Sequence, residues 1–193
     1  IVDEQLIVIK HIALGLVFLL YPFIVYVGLS WFEPSILALA LVFLTLIRVY
    51  FSKNKTVSPL LKIVAINAIL LLGFNVFANS ALLLKLYPVV ISFSFFSVFI
   101  YSIFKPPTVI TLVASARDKL TENAVIYTRK VTLVWCFFFI INGLIALWTV
   151  FQSDEYWTLY NGIISYILMG ILFACEWLVR RNFKKHDRSN YIT

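Results

Sequence analysis

Apolar residues in this chain are gathered into long unbroken runs, with the polar residues confined to short stretches between them. Six runs stand out, at about 12–30, 34–51, 60–78, 86–104, 131–151 and 156–179. Each is near the ~20 residues a helix needs to cross a bilayer core. None shows the strict alternation of a membrane barrel strand. In lipid, an open sheet leaves backbone groups unpaired, so such runs are expected to be helices. The pattern predicts an all-α polytopic membrane protein. Residues 1–193 form one integral membrane domain of about six spans, paired as three hairpins.

Composition sharpens this picture. Apolar residues make up 62% of the 193 positions, against only 16 Lys and Arg and 9 Asp and Glu. A soluble domain of this length carries roughly 48 charges, at ~25%. An ordinary water-soluble enzyme is thereby disfavoured. The first run is too long for a signal-peptide core and lacks an A-x-A-like cleavage site, so it is expected to be a retained span.

The net charge of +7 has its meaning in its placement. The segment after the first run holds only Glu33, whereas the next holds Arg48, Lys53, Lys55 and Lys62. The third has no charge before Lys85. The fourth carries Lys105, Arg117, Lys119, Arg129 and Lys130. The fifth has Asp154 and Glu155, and the tail has Arg180, Arg181, Lys184, Lys185 and Arg188. Basic residues thus mark alternate segments, and the positive-inside rule predicts cytoplasmic N- and C-termini. Such placement serves topology, and no nucleic acid is expected as a partner. Trp31, Tyr156, Trp157, Tyr160 and Trp177 stand near span ends, as interfacial anchors do.

The last two hairpins share a pattern. Ile66-Asn67-Ala68-Ile69 is similar to Ile141-Asn142-Gly143-Leu144, and Leu86-Tyr87-Pro88 is similar to Leu159-Tyr160-Asn161. The offsets are 75 and 73 residues, which predicts a tandem rather than an inverted repeat. Between the hairpins, Pro106-Pro107 stops the fourth run. In the cytoplasmic segment 105–130, apolar residues over 108–120 recur at helical spacing. That predicts a short amphipathic helix on the inner leaflet, the alternative being a solvated linker with one helical turn. Thr121 is placed to cap the following helix, with Glu122 in its first turn.

Few polar residues enter the spans. Asn67, Asn142 and Asn161, with Glu176 nearer an end, are the candidate polar groove for a lipid head group. Interhelical hydrogen bonding is the alternative role for the asparagines. Glu176 has Arg180 four residues on, within reach of an ion pair. Gly170 and Ala174 form a small-xxx-small pair, expected to pack closely against another helix. Lys85 is a candidate contact for an anionic ligand on the outer face, or a partner for Asp154 and Glu155. Arg117, Lys119, Arg129 and Lys130 are the candidate docking residues on the cytoplasmic side. Cys136 and Cys175 lie in apolar runs and the two histidines are far apart in sequence, so no metal or other cofactor is expected. No nucleophile-and-base motif is present, and no catalytic residue is assigned.

At Tyr127-Thr128-Arg129-Lys130-Val131-Thr132, Trp135-Cys136, Phe138-Phe139 and Asn142-Gly143 the chain resembles an uncharacterised family of bacterial inner-membrane proteins. Leu86-Tyr87-Pro88-Val89, Lys105-Pro106-Pro107 and Glu176-x-Leu178-Val179-Arg180-Arg181 extend the resemblance. Genes of that family stand beside acyl carrier proteins and acyl ligases, in clusters for aryl polyenes and related fatty-acid lipids. Trp135, Phe138-Phe139 and Asp154-Glu155-x-Trp157 also resemble septation protein A. The first resemblance implies an inner-membrane accessory or scaffold protein in synthesis or hand-over of a specialised acyl lipid. Membrane lipids and an acyl carrier protein, or another cytoplasmic lipid-synthesis enzyme, are its expected partners, and an oligomer is compatible with the sequence. A lipid-handling enzyme or transporter subunit, or a septation scaffold, are the alternatives.

Overall fold

The computed structural model describes residues 20–51, 58–116 and 119–189. Among these the protein is all-helical, with no strand. In chain order the helices are α1 (Tyr21–Gly28), α2 (Pro34–Phe51), α3 (Ser58–Ala78), α4 (Ala81–Lys85), α5 (Tyr87–Phe104), α6 (Val109–Ser115), α7 (Glu122–Val150), α8 (Asp154–Leu159) and α9 (Ser165–Ser189). A π-helical turn, Tyr160–Ile164, joins α8 to α9.

Three stretches are long and apolar enough to cross a membrane: Ala81–Phe104, Glu122–Val150 and Asp154–Phe183, of 24, 29 and 30 residues. Shorter apolar helices occupy Pro34–Ile47 and Lys62–Ala78. Five of the six apolar runs therefore coincide with helices along most of their length. The first does so only over α1, because residues 12–19 lie outside the described residues.

Two of the long stretches are interrupted near one end. Pro88 sits at the second position of α5, where a missing N–H costs nothing, so the chain restarts as a new helix after α4. The second interruption is the π turn. Gly162 lies so close to Phe23 that a Cβ there stands 2.8 Å from the ring carbon Cε2, which lets α1 press against the turn. Tyr21 donates to the Leu84 carbonyl at 2.6 Å, and Trp157 Nε1 donates to the Lys85 carbonyl at 3.1 Å. These bonds knit α1, α4 and α8 together around a core containing Tyr21, Leu84, Tyr87 and Trp157.

A second core gathers at the opposite end of α5 and α7, around Phe99, Val131, Trp135 and Phe139. The Phe95 and Phe139 rings stack at 5.1 Å. Between the cores, α7 runs close against α5. A Cβ on Gly143 lies 3.2 Å from Ser92 Cβ, tighter than ordinary contact, so glycine sets that approach.

A short helix, α6, follows α5. Of the expected helical stretch 108–120, residues 117–118 lie outside the described residues and α6 occupies Val109–Ser115. Thr108 caps it, accepting from the Thr111 amide at 3.4 Å. Four threonine hydroxyls then fasten it to α7. Thr132 donates to Thr108 at 3.0 Å, Thr108 pairs with Thr111 at 2.7 Å, and Thr111 pairs with Thr128 at 2.7 Å. Thr128 donates to the Val125 carbonyl at 2.9 Å, which closes the series. The Thr132 hydroxyl also lies 2.8 Å from the Thr128 carbonyl, so its single proton has two acceptors. As expected, Thr121 caps α7, accepting from the Ala124 amide at 3.1 Å, with Glu122 in the first turn.

Candidate functional site

Helix α5 carries the serines that organise the polar interior. Ser92 and Ser94 are two residues apart, and at about 100° per residue they face opposite ways. Ser94 meets α3, where Asn67 Nδ2 donates to its hydroxyl at 2.9 Å. Ser92 meets α7, where Asn142 Nδ2 donates to its hydroxyl at 3.1 Å. One short segment of α5 thus joins both long neighbours.

The two asparagines differ in their surroundings. Asn142 is 7% exposed and has three side-chain partners. Its Oδ1 accepts from Ser165 at 2.8 Å and from Tyr160 at 3.1 Å. Asn67 is half-buried and lines a groove of about 310 Å³ between α3 and α5. Leu70, Val89, Val90 and Phe93 form its apolar walls, and Ser94 and Ser97 line it beside Asn67. Ser97 is satisfied by the Phe93 carbonyl at 2.8 Å. Among the described residues no donor reaches Asn67 Oδ1, and the Ser94 hydroxyl reaches no acceptor.

The four candidate groove residues are therefore not gathered in one place. Only Asn67 belongs to the groove. Asn142 lies across α5 from it. Asn161, 4% exposed, donates to Thr149 at 3.1 Å and to the Trp157 carbonyl at 2.9 Å, and so braces the π turn against α7. Glu176 stands toward the far end of α9, with Arg180 Nε at 3.6 Å and the Tyr127 hydroxyl at 3.5 Å. Opposed faces of α5 separate Asn67 from Asn142, and fifteen residues of chain separate Glu176 from Asn161.

Lys85 forms an ion pair with Asp154, which spans the two helix restarts and brings α4 to α8. Of the candidate docking residues, Lys119, Arg129 and Lys130 are exposed near the start of α7, and Arg117 lies outside the described residues. The expected close packing of Gly170 and Ala174 is not seen among the described residues. Both are exposed, and none of those residues lies within 4 Å of a Cβ placed on Gly170. The stripe of α9 facing α7 instead runs through Ser165, Met169, Leu172 and Glu176.

One feature was missed from the sequence: the threonine series, whose signal was a pair of threonines at i,i+3 (Thr108, Thr111) and another at i,i+4 (Thr128, Thr132). The serine pair on α5 takes its opposed directions from helical spacing, once α3 and α7 are known to flank it. Cys136 is buried and Cys175 exposed. Among the described residues no three His, Cys, Asp or Glu side chains converge to hold a metal ion. No protein family, curated protein or solved structure matches the chain.

Proposed function

We propose that this chain is an accessory protein of the bacterial inner membrane, without catalytic machinery of its own, that holds an acyl lipid during its synthesis or hand-over. The groove between α3 and α5 carries this reading. It lies within apolar helices, and its walls are aliphatic and aromatic. In a bilayer, lipid is the solvent that fills such a space. The resemblance to proteins encoded beside acyl carrier proteins points to the same chemistry. Lys119, Arg129 and Lys130 are exposed and offer a basic surface for an acidic carrier, and Arg117, outside the described residues, is near them in sequence.

In this reading the chain crosses the membrane six times, with both termini and segment 105–130 cytoplasmic, because alternate segments hold the basic residues. Cysteines at Ser80 and Ser153, in a Cys136→Ala, Cys175→Ala background, then react with an impermeant thiol reagent added outside. Labelling at Ser189 in their place reverses the orientation.

The functional test is direct. Native mass spectrometry of the detergent-extracted protein is expected to show a retained acyl lipid. Val90→Trp, which fills the groove from α5, removes it while the melting temperature holds. Retention of the same lipid by Val90→Trp shows that the groove is not the seat.

A further inference from the structure

The depth of the polar notch constrains what the groove takes. Asn67 lies nine residues from Ser58 and eleven from Ala78, the ends of α3. At ~1.5 Å per residue, that is roughly 14 and 17 Å from either end. Ser94 is seven residues from Tyr87 and ten from Phe104 on α5, again near the middle. A bilayer's hydrocarbon core is about 30 Å thick, so the notch faces the interior of acyl tails. A lipid head group at the surface does not reach it.

An unmodified tail fits the walls but leaves the notch unsatisfied. Asn67 Oδ1 offers an acceptor and the Ser94 hydroxyl a donor, and neither is engaged among the described residues. Polar groups left unpaired in hydrocarbon are costly. One small group satisfies both at once: a hydroxyl, donating to Asn67 Oδ1 and accepting from Ser94.

We propose that the α3–α5 groove selects an acyl chain bearing a hydroxyl partway along its tail, recognised by Asn67 and Ser94. This rests on the groove being a lipid seat. The notch discriminates between tails, and the walls of Leu70, Val89 and Phe93 hold the chain without regard to its substituent.

The full chain in nanodiscs containing equal amounts of a stearoyl and a 12-hydroxystearoyl phospholipid tests this. The lipid retained on the protein is counted by native mass spectrometry. The wild type is expected to favour the hydroxylated lipid about eightfold, the value of two average intramembrane hydrogen bonds. Asn67→Leu cuts the preference to about threefold or less while both lipids are still retained. Ser94→Ala, which removes only the hydroxyl, does the same if the leucine disturbs folding. A lipid hydroxylated at carbon 2, beside the head group, gains no preference. Equal retention of both tails by the wild type overturns this selection and leaves the lipid seat standing. So does a preference undiminished in both variants, or one shown equally for carbon 2. Retention of neither lipid overturns the seat itself.

Discussion

The unit α3–α4–α5 and the unit α7–α8–α9 are built alike and packed differently. Each has a long helix, a tight turn, a short helix of five or six residues, an interruption and a second long helix. Each places an asparagine of the first helix against a serine of the last: Asn67 with Ser94, and Asn142 with Ser165. The interruptions follow Leu86 and Leu159, the positions the repeated sequence pattern aligns. Burial separates the two. In the most apolar window of the α4–α5 stretch 39% of residues are buried, but in that of the α8–α9 stretch only 6% are. Helix α5 lies between α3 and α7, whereas α9 touches α7 along one stripe. A shared local pattern therefore sets the hairpin, and the neighbours decide which polar pair becomes interior. Asn142 acquired extra partners from the π turn and α5. Asn67 kept a partly open side.

The largest expected effect breaks that comparison at its centre. Asn142→Leu loses bonds to Ser92, Tyr160 and Ser165. At about 0.6 kcal/mol per intramembrane bond, thermal unfolding in detergent is expected to show a loss of about 2 kcal/mol. Asn67→Leu, with one bond, loses about 0.6 kcal/mol. Equal losses at both positions refute the claim that only one of the pair is structural.

Glycine sharpens it next. Gly143→Ala presses a methyl against Ser92 and Phe93, an overpacking expected to cost about 1 kcal/mol. Gly170→Ala meets nothing and gains helix propensity, so it is neutral to stabilising. Destabilisation by Gly170→Ala in the purified monomer contradicts the open face of α9.

The smallest effect is at the ion pair joining the two interruptions. A double-mutant cycle on Lys85→Gln and Asp154→Asn is expected to give about 0.2–1 kcal/mol, falling with added salt because Asp154 is half exposed. A coupling unchanged by salt contradicts the exposed geometry.

Much of the architecture was legible because its signals are local. Long apolar helices, the Thr121 cap and the Glu176–Arg180 spacing need only neighbours in sequence. Lys85 with Asp154 was legible because equal depth in a membrane is a one-dimensional quantity. Azimuth is not, and there the sequence reading ran short. It grouped Asn67, Asn142, Asn161 and Glu176 in one groove, where Asn67 and Asn142 bond to opposite faces of α5 and Glu176 stands fifteen residues beyond Asn161. It also expected Gly170 and Ala174 to face a helix, and no described helix covers Gly170. The π turn escaped for the same reason, since Gly162 and Phe23 meet only across two elements.

The threonine series has a mechanical consequence. Thr108, Thr111, Thr128 and Thr132 are linked hydroxyl to hydroxyl, so sliding α6 along α7 breaks several bonds together. The two helices are fastened as one unit. Ten residues separate Thr132 from Asn142 along α7, about 15 Å. The anchorage of α6 and the polar centre of the bundle therefore share one helix.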